Sequence, residues 1–395
     1  VNHIFDFFSL LIFLKISDNF NLEFDAKILI TIVYATSTCI LNEFYSLNTR
    51  PIGLLIFNIS IYLIISYNVE TVFFLLCIFG TILFYTHKLS FQCLIFLYIT
   101  LSIFININFF FILIGIFFIS FLIWPSGFKS LSIAHFNILK FWHKNWNYLG
   151  SHIVRESIYY NDGKTNDSFY NQKENKIPLA YLKKLLSYNF FLVPFLIHVS
   201  YNLNNIHDKK LAIISILILI LGIFLHWVKR LRFLGLGFQY IKYAFLPILI
   251  FISTNLSLRE NYIFLIIVIF SVILHFRSFL IFSRNFTYNQ TSSVLSDDLL
   301  NFIKKKKINN IMTLPTYNAD KIAYLTKKKV YWGTHSEVFD ERLNEFFPIL
   351  KRKIDFYKSD GVDYILIDTN YVSPKEINLK KKLIFESKNF ELFKV

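Results

Sequence analysis

The chain has 395 residues, of which 55% are hydrophobic, 19% aromatic and 17% charged, with 47 Phe and a formal net charge of +15. An average soluble domain carries about 25% charged residues, and this much apolar side chain exceeds what soluble cores of ordinary size hide. With only 11 Gly, 8 Pro and 3 Cys, none of the cysteines at CxxC or zinc-ligand spacing, disorder, collagen and a disulfide scaffold are excluded.

The composition therefore predicts an α-helical polytopic membrane protein. The first apolar stretch, 3–16, is short for a span, which needs roughly 17–25 mostly apolar residues. Clearer spans are predicted over 27–44, 51–67, 69–86, 91–105, 108–124, 211–228 and 262–282. Shorter ones fall over 189–203 and 241–254, making about nine or ten transmembrane helices. Runs such as LAIISILILILGIF are apolar on every face, unlike the alternating strands of outer-membrane barrels. In lipid, their backbone groups are satisfied only as helix.

Residues 125–186 contain no span. The part LSIAHFNILKFWHKNW places apolar residues at helical spacing and predicts a helix lying in the membrane interface, with Trp142 and Trp146 at headgroup depth. The part YYNDGKTNDSFYNQKENK is polar and turn-rich and predicts an exposed loop. From 284 onward charges are frequent and strand and helix patterns alternate. NNIMTLP, KVYWG and VDYILID predict strands, ADKIAYLTKK and ERLNEFFPILKRKIDFYKSDG predict helices, and the end predicts a hairpin turning at Ser387–Asn389. The expected organisation is a multi-span domain over 1–283 and a small C-terminal soluble α/β domain over 284–395.

Lys and Arg outnumber Asp and Glu by 22 to 12 up to Arg284 and by 19 to 14 beyond it. Neither part carries a basic stripe interleaved with stacking aromatics, so no nucleic-acid partner is expected; the lysines at 304–307 read as a solvated loop face. Arg50, Lys88, Lys129, Lys140, Lys144 and the KRLR run at 229–232 alternate along the chain with Asp18, Glu23, Asp25 and Glu70. The positive-inside rule places the first group, and with it the tail, in the cytoplasm.

Four constellations carry chemistry. In the loop SDNFNLEFD, the carboxylates of Asp18, Glu23 and Asp25 suit a general base toward an acceptor hydroxyl or the binding of a divalent cation, the one cofactor the sequence leaves open; a solvated loop is the plainer account. Lys229, Arg230 and Arg232 follow a long span and suit an anionic headgroup or lipid-linked phosphate; a positive-inside anchor is the plainer account. His135, Trp142, His143, His152, Arg155 and Glu156 join aromatic rings to polar groups, as sugar recognition does, or simply pack at the interface. In the tail, His335, Glu337, Asp340, Asp368 and Tyr371 fall near strand ends, where α/β domains place their sites.

The order TLPTYNADKIAYLTKKKVYWGTHSEVFDE…FFP…GVDYILIDTNYVSPKEI resembles the terminal soluble domain of large bacterial membrane proteins of polysaccharide and lipopolysaccharide biosynthesis. RFLGLGFQYIKYAFLP resembles a segment of the same proteins that usually has Glu after the first Gly and Arg before the Tyr; here those places hold Leu236 or Phe238, and Gln239. LNTRPIGLL at 47–55 and THKLSFQ around His87 are also similar. Such proteins are similar in architecture to GT-C membrane glycosyltransferases. That resemblance implies a polyprenyl-phosphate sugar donor, a catalytic carboxylate in the first outer loop, and an external soluble domain, which conflicts with the charge count. Only Asp18, Glu23 and Asp25 occupy a comparable position. The chain opens on Val1 rather than Met, so an earlier acidic loop is left open.

The leading expectation is a multi-pass glycosyltransferase-like protein of the inner (plasma) membrane, acting in cell-envelope polysaccharide assembly. Its partners would be membrane lipid, a polyprenyl-phosphate-linked sugar and a polysaccharide or lipid acceptor. One alternative is an O-antigen polymerase or ligase-like enzyme, for which the long loop at 125–186 has the right size. The other is a non-enzymatic transporter or assembly scaffold, whose mid-span ionisable candidates are His198, His226, His275 and Arg277.

Overall fold

The computed structural model describes residues 2–44, 49–144, 186, 189–201, 206–235, 237–254, 262–290, 295–306, 308, 310–314, 317–331, 361–369, 374, 379, 381–387 and 389–395. The chain divides into two compact units, Val1–Phe136 with Pro178–Thr287, and Asn137–Ile177 with Tyr288–Val395. It is mostly helical, with a small C-terminal sheet.

The helices in chain order are α1 (Asn2–Asn19), α2 (Phe24–Ala35), α3 (Thr38–Phe44), α4 (Arg50–Ser66), α5 (Val69–Thr86), α6 (Lys88–Phe104), α7 (Asn108–Ile123) and α8 (Pro125–Lys144). They continue with α9 (Leu192–Tyr201), α10 (Ile206–Trp227), α11 (Ile241–Thr254) and α12 (Tyr262–Gln290). Two 3-10 turns, Lys229–Leu234 and Gly237–Tyr240, join α10 to α11.

The core of the first unit is α11, buried continuously from Ile241 to Ser253. A helix apolar all round belongs in the middle of a bundle, and α1, α2, α4, α9 and α10 pack against this one. Tyr34 of α2 stacks between Phe13 of α1 and Phe245 of α11, with centroids at 5.6 and 6.3 Å. A second packing seam joins α5 to α7, where small residues let the backbones approach. Thr81 Oγ1 donates to the Ile116 carbonyl at 3.3 Å, and Tyr85 OH to that of Ser120 at 2.7 Å.

The expected single span over 27–44 is in fact two helices, broken at Thr36–Ser37. Thr36 Oγ1 donates to the Ile32 carbonyl at 2.7 Å and Ser37 N–H to that of Tyr34 at 3.1 Å. Hydroxyl side chains that bind the backbone locally compete with helix propagation. The expected nine or ten spans also shrink by a strict measure. Among the described residues, two helices are both long and apolar enough to cross a bilayer, Val69–Thr86 and Phe264–Arg284. Arg50–Ser66, Lys88–Phe104, Asn108–Ile123 and Lys242–Thr254 are apolar but shorter.

The first unit nonetheless leaves large apolar side chains uncovered. Phe74 on α5, Ile103 on α6, Phe118 and Leu122 on α7, and Ile266 and Phe270 on α12 are each at least 60% exposed.

The second unit holds α13 (Asp297–Lys305), β1 (Ile311–Leu314), α14 (Tyr317–Thr326), β2 (Tyr364–Asp368), β3 (Lys382–Glu386) and β4 (Phe390–Lys394). The sheet order is β1-β2-β4-β3, with β1 parallel to β2 and the other pairs antiparallel. Ser296 caps α13 through Leu299 N–H, and Asp297 and Asp298 open the helix while Lys304 and Lys305 close it. Both charge placements complement the helix dipole. Lys304, Lys305 and Lys306 are exposed. In KVYWG, Val330 bridges to Ile311 while Trp332 and Gly333 lie outside the described residues, as does the helix expected over 341–361 apart from Gly361.

Leu299, Ile303, Ile311, Ile322, Leu366 and Leu392 form the core of this unit. Leu392→Ala, at a fully buried position, is expected to cost about 2–5 kcal/mol. Denaturant unfolding of the full chain, read from the sheet's circular dichroism, checks this.

Candidate functional site

The helices of the first unit place two sets of polar residues at opposite ends. At one end, α1 runs into α2. Asn19 Nδ2 donates to Ser66 Oγ at the close of α4, at 2.6 Å. Asn106 and Asn108, between α6 and α7, donate to Glu70 Oε1 on α5 at 3.0 and 2.9 Å. Lys210, near the start of α10, donates to the Ile64 carbonyl. Asp18, Glu23, Asp25 and Glu70 all belong to this carboxylate end, together with Lys27 and Lys210.

Two of the three predicted carboxylates line a cleft there. Its volume is about 560 Å³, and Glu23, Asp25 and Asn21 share its walls with Ser253 and Thr254 at the close of α11. The rest is apolar: Leu22, Ala26 and Leu29 on one side, and Leu265, Val268, Ile269, Val272 and Ile273 of α12 on the other. Glu23 is the N-cap residue of α2, but its side chain makes no cap hydrogen bond. Both Glu23 and Asp25 are exposed, so each carboxylate is open to a ligand.

Asp18 is engaged differently. Lys27 Nζ lies 2.6 Å from its Oδ1, and this hydrogen bond and charge hold the Asp18 carboxyl below its ordinary value of 3.8. A paired carboxylate with a lowered pKa is a weak proton acceptor. Among the described residues, no group of three or more His, Cys, Asp or Glu side chains is placed to hold a metal ion.

The opposite end gathers Arg50, the α5–α6 turn at His87 and Lys88, and the 3-10 turns. His87 Nδ1 accepts from Ser90 N–H at 3.3 Å and lies 2.6 Å from Ser90 Oγ, which is 2.7 Å from Tyr243 OH. An acceptor at Nδ1 makes the ring neutral with its proton on Nε2. A Cβ on Gly53 would come within 2.6 Å of His87 Cβ, so α4 can pass this ring only at a glycine. Tyr240 OH donates to Gln92 Oε1 and to the Leu234 carbonyl, both at 3.1 Å. LNTRPIGLL, THKLSFQ and RFLGLGFQYIKYAFLP, far apart in sequence, thus meet in one polar cluster that sequence reasoning did not assemble.

Burial lowers the His87 pKa to about 3, helped by the positive charges of Lys242 and Arg50. The folded value lies below the ordinary 6.5, so the unfolded chain binds the extra proton first. The stabilisation from His87 is complete above about pH 6.5 and falls as the pH drops toward 3. Thermal unfolding in detergent should show a falling midpoint below that pH, and the slope should flatten in His87→Asn.

Lys229, Arg230 and Arg232 sit on the 3-10 turn that follows α10; their side chains lie outside the described residues. The 22 residues of α10 rise about 33 Å at 1.5 Å per residue, and its start belongs to the carboxylate end. The expected base and the expected phosphate-binding cations therefore do not face one reacting bond. His135 on α8 packs edge-to-face on Phe84, at 5.9 Å between centroids, and its pKa is lowered to about 4 by burial and by Lys88. It too belongs with the basic end and not with Glu23 and Asp25. The side chain of Trp142 is outside the described residues, as are His152, Arg155 and Glu156 altogether. His143 is exposed.

His275 of α12 is 4% exposed and meets Thr36 Oγ1, at the break between α2 and α3, at 3.0 Å from Nε2. Arg277 is exposed, and the side chains of His198 and His226 are outside the described residues. In the tail, Asp368 ends β2 and is buried, while His335, Glu337, Asp340 and Tyr371 lie outside the described residues. In the same unit, Thr313 Oγ1 and Asn318 Oδ1 are buried without a hydrogen-bond partner among the described residues.

No known protein family, curated protein or solved structure matches the chain.

Proposed function

We propose that this chain is a multi-pass protein of the inner (plasma) membrane that transfers a sugar from a polyprenyl-phosphate donor in cell-envelope polysaccharide assembly. The uncovered apolar faces of α5, α6, α7 and α12 support a membrane setting, because soluble proteins rarely expose contiguous apolar patches above a few hundred Å². Helices of 16 to 18 residues reach about the lower limit for crossing a bilayer. The basic end then faces the cytoplasm and the carboxylate end faces outward, although Lys209 and Lys210 count against a clean division.

The observation that carries the reading is the cleft with Glu23 and Asp25 at its mouth and apolar walls behind them. One carboxylate takes the proton from an acceptor hydroxyl. The acceptor oxygen forms its bond to the anomeric carbon as the carbon–oxygen bond to phosphate breaks, and the phosphate leaves with that electron pair. Among the cations of this end with described side chains, Lys27 and Lys210 replace Lys229, Arg230 and Arg232 as candidates for steadying the departing charge. Purified full-length protein in proteoliposomes, given polyprenyl-phosphate carrying a radiolabelled sugar, should release the label from the donor lipid. A donor that keeps all its label with every membrane extract offered as acceptor refutes the reading.

A transporter is the second reading. It is favoured by the helix break at Thr36 meeting the buried His275, since broken helices and buried ionisable groups mark transport pathways. Proton-coupled uptake lost in His275→Phe would support it.

A further inference from the structure

Resting on the transferase reading, we infer that the acceptor is itself a lipid: a membrane-anchored glycan whose hydrocarbon chain lies between α2 and α12 and whose hydroxyls meet Glu23 and Asp25. The cleft continues inward. A small extension lined by Leu29, Val33, Phe191, Val268 and Val272 shares Leu29, Ser253, Val268 and Val272 with the main cavity. Phe191 in turn packs on His275, with centroids at 5.8 Å. The extension has a volume of only about 10 Å³, so the slot that can hold a chain runs along α2 from Glu23 to Leu29, about 10 Å at 1.5 Å per residue.

The slot also opens sideways. Leu265, Ile269 and Ile273, which line it, are 45%, 50% and 57% exposed, so a chain can enter from the surrounding lipid without passing through water. A polar substrate dissolved in water would gain nothing from such walls.

The head group follows from charge. Glu23 and Asp25 are at the mouth, and among the described residues no Lys, Arg or His lines the cavity. Carboxylates accept hydrogen bonds from hydroxyls and repel phosphate. The polyprenyl-phosphate donor is thus the wrong occupant for this slot, and a lipid with a hydroxyl-bearing, phosphate-free head is the right one.

The test uses an alkyl glucoside with a diazirine at the end of its chain, photolysed with the full-length protein in proteoliposomes. The expected result is label on peptides of α2 and α12 that contain Leu29, Val33, Val268 or Val272. Unlabelled alkyl glucoside should compete it away, and an alkyl phosphate of equal length should compete at least tenfold less well. Ala26→Trp, which fills the slot, should lower this label at least fivefold. Ile273→Trp, on the exposed rim where folding is not at stake, should do the same. Label spread evenly over outward positions such as Phe118 and Phe270, or equal competition by the phosphate, overturns the inference. Site-specific labelling without any sugar transfer would keep the lipid slot and remove the transferase. Full transfer to a water-soluble acceptor by Ala26→Trp would keep the transferase and remove the lipid acceptor.

Discussion

The double substitution Glu23→Gln with Asp25→Asn is expected to lower sugar transfer by about 10²–10⁴-fold, the range that loss of a general base produces. Both positions lie at the mouth of a cleft at the carboxylate end, and both are exposed, so removing their charge leaves packing intact. Asp18→Asn is the informative contrast. Its carboxylate is held by Lys27 at 2.6 Å, outside the cleft lining. An exposed ion pair is screened by solvent and contributes little to stability, so this variant should keep most of the turnover. Initial rates from radiolabelled donor, measured for all three proteins at matched reconstitution, check the ordering. A rate that collapses only in Asp18→Asn would move the base out of the cleft.

Gly80→Val should separate α5 from α7 and destabilise the first unit by about 1–3 kcal/mol, the usual cost of overpacking. A Cβ at Gly80 would strike Ile116 Cδ1 and stand 2.6 Å from its Cγ1. The same seam repeats one turn away, where a Cβ on Gly115 would stand 2.7 Å from Cys77 Sγ. The two contacts lock the helices at a distance that only glycine permits. Because the clash is with one side chain, Ile116→Ala in the same molecule should recover part of the loss, with a coupling of about 0.5 kcal/mol or more. Thermal unfolding of the four proteins of this cycle in one detergent gives the number.

Much of the architecture was legible residue by residue. The span expected at 69–86 is α5 from end to end, and 108–124 overshoots α7 by one residue. These are long runs between polar stops that are apolar on every face, a pattern of buried helix and not of an alternating strand. The hairpin turning at Ser387–Asn389 is also present between β3 and β4, because alternating runs around a polar turn encode it locally. The break at Thr36–Ser37 was missed: hydropathy averages over 27–44, while the break involves the Thr36 hydroxyl bonding the Ile32 carbonyl and the Ser37 hydroxyl meeting Cys39 Sγ. The Thr-Ser-Thr cluster beside Ala35 was its only signal.

The site divides in the same way. Sequence alone put Asp18, Glu23 and Asp25 forward together, as carboxylates in a short loop between apolar segments, and did not separate the paired Asp18 from the two that line a cleft. It also determined the helical class and the change in character near Arg284, since both follow from composition summed along the chain. Which groups share a site was decided only by tertiary structure. Spacing along a chain does not say at which end of a bundle a residue arrives: α10 carries Lys229, Arg230 and Arg232 away from the carboxylates, while Gly53, His87, Ser90 and Tyr243 are brought together from three segments. The placement of α12 opposite α2 turned an acidic loop into a cleft with apolar walls. That juxtaposition joins residues more than 200 positions apart, and only the direction and register of packed helices specify it.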